Sequence, residues 1–158
     1  MSKKYKIVLA ANLILVLAFF AFSVIQKETL IAKGTEILLR LAPVDPRSLM
    51  QGDYMALNYE MLREIDYRSK SGYLVVKVGS DRVAEFVRAQ NDKNVNDGEH
   101  LIRYKRQSGR LSVGADNYFF QEGSGKKFEN AKYGLLKVDD DGNSILVGLC
   151  NGEGQLIK

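Results

Sequence analysis

Residues 7–25 form one uncharged run, interrupted only by the amide of Asn12 and the hydroxyl of Ser23. As a helix this run rises about 28 Å, close to the hydrocarbon thickness of a bilayer. It is apolar on every face, unlike the one-sided stripe of a helix packed in a soluble core. The pattern predicts a transmembrane helix. Beyond residue 34 the pattern changes to period two, the mark of half-buried strands. Ile37, Leu39 and Leu41 alternate with Glu36 and Arg40. Over 54–61, Met55, Leu57, Tyr59 and Met61 fall on one face of a predicted strand, with Asn58 and Glu60 on the other. Residues 73–78 make a third strand. Residues 82–89 fit an amphipathic helix or a strand, and the missing cap and short length favour the strand.

Turn chemistry divides the rest. Ser108-Gly109 separates apolar segments at 101–105 and 110–113 as a two-residue hairpin signal. A short strand follows at 118–120. Asp139-Asp140-Asp141-Gly142-Asn143 separates 133–138 from 144–149, and its Asp-Gly and Gly-Asn pairs tolerate positive φ. One short helix is expected between residues 123 and 132. Eight to ten short strands at this spacing point to a mainly β fold, an antiparallel barrel or sandwich with one short helix, behind a single N-terminal transmembrane helix. No internal repeat or low-complexity segment breaks the pattern.

Charge gives the anchor a direction. Lys3, Lys4 and Lys6 precede the apolar run, and Gln26, Lys27 and Glu28 follow it with mixed sign. A basic flank stays in the cytoplasm, which would place the remainder of the chain outside, in the extracytoplasmic space. A cleaved signal peptide would need a shorter apolar core and small residues at the cut. Ala21-Phe22-Ser23 matches that requirement poorly, so an uncleaved anchor is expected. Asn12 has two readings: tolerance near the interface, or a hydrogen bond to another transmembrane helix. The expected organisation is a basic tip and anchor over 1–26, a short stem over 27–34 and a β domain over 35–158. Counted from Gln26 to Gly34, the connection reaches at most about 30 Å, which keeps the domain near the lipid.

The net charge of +4 is mostly this topology signal. With the three leading lysines set aside, 20 Lys and Arg stand against 19 Asp and Glu, leaving the folded part at +1. A nucleic-acid binder concentrates base on its folded face, so no nucleic-acid partner is expected. The lone Cys150 has no internal disulfide partner and lies in an apolar run, which reads as a small buried hydrophobe. His100 is the only histidine, which excludes a histidine-rich metal site, and it reads as an exposed residue at a strand edge. Asp139, Asp140, Asp141 and Asn143 lack the spacing of a calcium loop and read as a solvated hairpin. Gly123-Ser124-Gly125-Lys126-Lys127 has phosphate-loop flavour without the Walker sequence. No catalytic set, metal or cofactor is assigned.

The most distinctive stretch is residues 41–59. Both prolines of the chain, Pro43 and Pro46, fall within four residues and fix φ at two points. Gly52-Asp53 then reverses the chain into the strand that begins at Tyr54; Gly52 is expected to supply a positive φ, and Asp53 to accept hydrogen bonds from turn amides. The string Gly52-Asp53-Tyr54-Met55-Ala56-Leu57-Asn58-Tyr59, with Pro-Val-Asp-Pro-Arg ahead of it, resembles the GDYXXLXY family. So does a second block over 114–125, followed by Glu129. That family tends to read Tyr-Phe-Val-Pro-Glu-Gly where this chain has Tyr118-Phe119-Phe120-Gln121-Glu122-Gly123, so the turn here lacks its proline. The closing Gly142 and Leu149-Cys150-Asn151-Gly152 are similar as well. The resemblance implies a bacterial membrane-anchored protein whose relatives often accompany a multi-spanning membrane protein.

Two roles remain for the motifs. As architecture, they start strands and set register, with Leu57 and Tyr59 inward and Tyr54 on the opposite face. As a site, Pro46, Arg47, Gly52, Asp53, Tyr54, Leu57 and Tyr59 join Tyr118, Phe119, Glu122, Gly123 and Glu129 at one end of the domain to bind a partner or ligand. The expected partners are the bilayer, through residues 7–25, and a multi-spanning membrane protein. The alternative is a membrane-associated hydrolase resembling signal peptidases, using Ser48 with a lysine, or a Glu122/Glu129 carboxylate pair.

Overall fold

A computed structural model of the chain describes residues 3–42, 50–51, 54–66, 69–107 and 109–158, with backbone alone at 50–51. Its first element is α1 (Lys3–Lys33), long and apolar enough to cross a membrane. From Lys3 to Thr29 every side chain is exposed except that of Ser23, which is partly covered. The helix does not end with the apolar run. It continues through Gln26–Lys33, so the stem is helical and adds only about 1.5 Å per residue. Leu30 is its single buried residue. Helix formation stops at Gly34, whose N–H still reaches the Leu30 carbonyl at 2.8 Å. A Cβ at Gly34 would lie 2.5 Å from that same carbonyl oxygen, so glycine is what lets the chain turn directly into the first strand.

Ten strands follow: β1 (Thr35–Arg40), β2 (Met50–Gln51), β3 (Tyr54–Ala56), β4 (Ser71–Val78), β5 (Ala84–Gln90), β6 (Glu99–Gln107), β7 (Arg110–Ser112), β8 (Asn117–Phe119), β9 (Tyr133–Val138) and β10 (Ser144–Cys150). They pair antiparallel in three sheets, ordered β1-β9-β10, β2-β3-β8 and β5-β4-β6-β7. Single bridges join the sheets into a half-barrel. Leu38 pairs with Val83 and donates its N–H to the Arg82 carbonyl at 2.8 Å. Leu41 pairs with Tyr59. All three sheets turn apolar side chains onto one core that includes Ile37, Leu39, Leu57, Leu74, Ile102 and Leu136. Bulges at Val75/Val76 and Leu146/Gly148 bend the longer strands around it.

The mainly β fold, the strand reading of 82–89 and both hairpins follow the sequence pattern. Gln107 pairs with Arg110 across the first hairpin, and Gly109 takes φ +82°. In the second, the Asp139 carboxylate accepts from the backbone N–H groups of Asp141 (3.0 Å) and Asn143 (2.8 Å), with Gly142 at φ +80°. Two strands differ from the pattern. The strand predicted over 54–61 pairs regularly only through Ala56, and residues Glu60–Glu64 wind into a 3-10 turn. Alternating burial persists through Met55, Leu57 and Tyr59 because the extended chain keeps the same face to the core after ladder partners run out, and Met61 is buried from within the 3-10 turn. β1 is buried on both faces: Leu38 packs with Leu135 and Cys150 in a second cluster, which a one-sided alternation does not anticipate. The predicted short helix appears as a 3-10 turn over Gly125–Phe128.

Candidate functional site

The two sequence blocks meet strand to strand. β3 pairs with β8 in the register Tyr54↔Phe119, Met55↔Tyr118 and Ala56↔Asn117. Two further bonds lock the same blocks. The Leu57 N–H donates to the Asp116 carbonyl at 2.7 Å, and the Tyr59 hydroxyl donates to the Ala115 carbonyl at 2.6 Å. Tyr59 is almost wholly buried, and burial, followed by the nearby Asp116 charge, pushes its hydroxyl pKa far above the usual tyrosine value. It is a structural donor, not an acid for chemistry near neutral pH. Its ring lies over Gly134, where a Cβ would sit 3.0 Å from Tyr59 Cε1. Ser112, also buried, donates to the Asp116 carboxylate and steadies the approach to β8.

Alternation on β3 and β8 then separates the motif residues. Leu57 and Tyr59 point inward as predicted and belong to the core. Tyr118 is half-buried and meets Phe128 edge-on, with ring centroids 5.0 Å apart. Phe120 stacks on the same Phe128 at 5.5 Å, so the 3-10 turn closes this end of the core. Tyr54 and Phe119 lie on the outer face with centroids 5.7 Å apart. Phe119 is 73% exposed. Glu122, Gly123 and Glu129 are exposed around the 3-10 turn. The turn that lacks its proline forms all the same: Ser124 N–H reaches the Gln121 carbonyl at 2.9 Å and Gly123 takes φ +79°. Gly123 supplies the positive φ at the third position of this turn, and the family's proline corresponds to Gln121 at the first position, where the turn does not require one. Pro46, Arg47, Gly52 and Asp53 lie outside the described residues, as does Ser48 of the hydrolase alternative.

Several polar groups that the sequence left unassigned are structural. Arg88 grips Glu99 through two bonds of 2.8 and 2.9 Å, and the Asn96 N–H adds a third at 2.9 Å. The Arg88 contacts, then the Asn96 amide, pull the Glu99 pKa down to about 2. Glu36 is likewise lowered, by Arg82 and then Lys137. Arg82 holds this position with φ +64° while its second nitrogen reaches the Gly154 carbonyl at 3.1 Å. Cys150 is buried, and burial raises its thiol pKa, which suits packing and not nucleophilic work. His100 is half-buried in β6 opposite Val76, so it is not the exposed edge residue that the sequence suggested. Among the described residues no group of three or more His, Cys, Asp or Glu side chains is arranged to hold a metal ion.

The long-range acceptors Ala115 and Asp116, which receive the motif's donors, were missed because a carbonyl has no side-chain signature. No curated protein and no solved structure matches the chain. A family model described as GDYXXLXY protein matches residues 16–149, from the second half of the apolar helix to the last residue but one of β10. That span takes in both paired blocks, and the chain belongs to the GDYXXLXY family.

Proposed function

We propose that this protein is a single-pass bacterial inner-membrane protein with a cytoplasmic basic tip, and that its extracytoplasmic β domain is an accessory module docking on a multi-spanning membrane protein. The lysines ahead of the apolar run support the orientation. The helical stem supports a domain kept against the lipid, since α1 runs unbroken into the Leu30 contact. One observation carries the docking role. The two family blocks pair so that their outward aromatic positions, Tyr54 and Phe119, lie side by side, and Phe119 keeps most of its ring in solvent. Large aromatics supply the anchors of protein interfaces, whereas the inward motif residues are already consumed by the core.

The test is co-purification of the intact chain from mild detergent after crosslinking in cells. A multi-spanning companion is expected, with its yield reduced in Phe119→Ser while the domain's melting temperature is unchanged. Repeated recovery of the chain alone, or equal yield from the variant, refutes the docking role. A carboxyl-terminal reporter active only outside the cytoplasm is expected; activity in the cytosol refutes the orientation.

A further inference from the structure

The fold brings the β9–β10 hairpin alongside the membrane helix. β1 starts at Thr35, immediately after α1, and Thr35 pairs with Val138. The hairpin tip, Asp139 to Asn143, therefore continues past the start of β1 and back along α1. Between them lies a groove of about 600 Å³, lined from the helix by Ser23, Lys27 and Lys33 and from the hairpin by Asp139, Asp140 and Asp141, among others. This explains why Ser23 is the one partly covered side chain in the first turns of the helix through Thr29. Ser23 lies two residues before the apolar run ends, so the groove opens at the boundary between hydrocarbon and headgroups. Lys27 stands about 3 Å of helix rise beyond Ile25, within the headgroup layer.

The groove carries both signs of charge, and only part of that charge is spent internally. Asp139 is used by the turn amides and Asp141 by Lys93 at 2.5 Å. Among the described residues Asp140, Lys27 and Lys33 make no ion pair or side-chain hydrogen bond. The molecule within reach at that depth is a membrane phospholipid. We infer that the groove seats the headgroup of a zwitterionic phosphoethanolamine lipid, with its phosphate at Lys27, its ammonium at Asp140 and its acyl chains along α1. A primary ammonium donates hydrogen bonds to a carboxylate, whereas the quaternary ammonium of choline has none to donate. A glycerol headgroup brings no positive charge for Asp140.

The experiment uses the full chain in nanodiscs of equal phosphatidylethanolamine, phosphatidylcholine and phosphatidylglycerol, with co-retained lipids measured by native mass spectrometry. Entry into the discs reports the anchor, and lipid preference reports the groove. Phosphatidylethanolamine should be retained about two- to fivefold over the other two, the range that an exposed ion pair supports. Asp140→Asn should bring the ratio close to one, Lys27→Gln should lower retention of all three lipids because they share the phosphate, and Glu28→Gln, outside the groove lining, should do neither. Soluble phosphoethanolamine should fail to compete. Equal retention of the three lipids, a preference for phosphatidylglycerol, an unchanged ratio in Asp140→Asn, unchanged retention in Lys27→Gln, or displacement by the soluble headgroup would each overturn the assignment.

Discussion

Replacing Tyr59 by Phe tests whether the last tyrosine of the GDYXXLXY string is a clamp between the two family blocks. The substitution keeps the ring and removes one oxygen. That oxygen donates to the Ala115 carbonyl at 2.6 Å, with the Tyr59 side chain 2% and Ala115 3% exposed. A net hydrogen bond contributes about 0.5–1.5 kcal/mol, and stranding a buried partner adds a further desolvation cost, so the loss should be about 1–3 kcal/mol. In a domain of this size each kcal/mol lowers the melting temperature by roughly 3–6 °C. Urea unfolding of the detergent-solubilised chain, followed by near-ultraviolet circular dichroism, should show a lower midpoint at unchanged slope. Tyr118→Phe is the comparison, because the Tyr118 hydroxyl makes no hydrogen bond among the described residues. It should stay within about 0.5 kcal/mol of the parent. If Tyr59→Phe is as neutral as Tyr118→Phe, the clamp does not exist and strand pairing alone joins the blocks.

Three further outcomes follow from particular contacts. Gly134→Ala places a methyl 3.0 Å from Tyr59 Cε1 and 3.1 Å from its oxygen, and should cost about 1–3 kcal/mol in the same unfolding assay. Leu30→Ala removes the one buried side chain of α1 and should expose the junction at Gly34 to limited proteolysis without unfolding the β domain, read by fragment mass. Glu99 has a folded-state pKa of about 2 against an ordinary 4.5, so folding favours its ionised form. Its contribution is complete above pH 4.5 and is lost as pH falls toward 2; thermal melts of the parent should decline across that window, and those of Glu99→Gln should be flatter there.

The long apolar helix was legible because its signal is one-dimensional: an uncharged run of bilayer length can be read straight along the chain. The hairpins were legible because Asp139, Gly142 and Gly109 act on their own backbone. Strand faces from Ile37 to Tyr59 could be read as far as a side chain's neighbours in sequence decide which way it points. The double burial of Leu38 and the early end of β3 could not, because both depend on what lies across the sheet. The same holds for the candidate site. The sequence separated Leu57 and Tyr59 from Tyr54 by period alone, yet nothing local indicated that Tyr54 would face Phe119, 65 residues away.

The sequence by itself determined a long apolar helix, a β-rich domain behind it, the turn positions and the family blocks. Only the tertiary structure decided that those blocks pair, that Tyr59 spends its hydroxyl on Ala115, and that the acidic hairpin runs back beside α1. Local propensity and solvation act over a few residues and can be read along the chain. Strand partners and buried donors are chosen by packing across the fold, where carbonyls and register leave no mark in the amino-acid string.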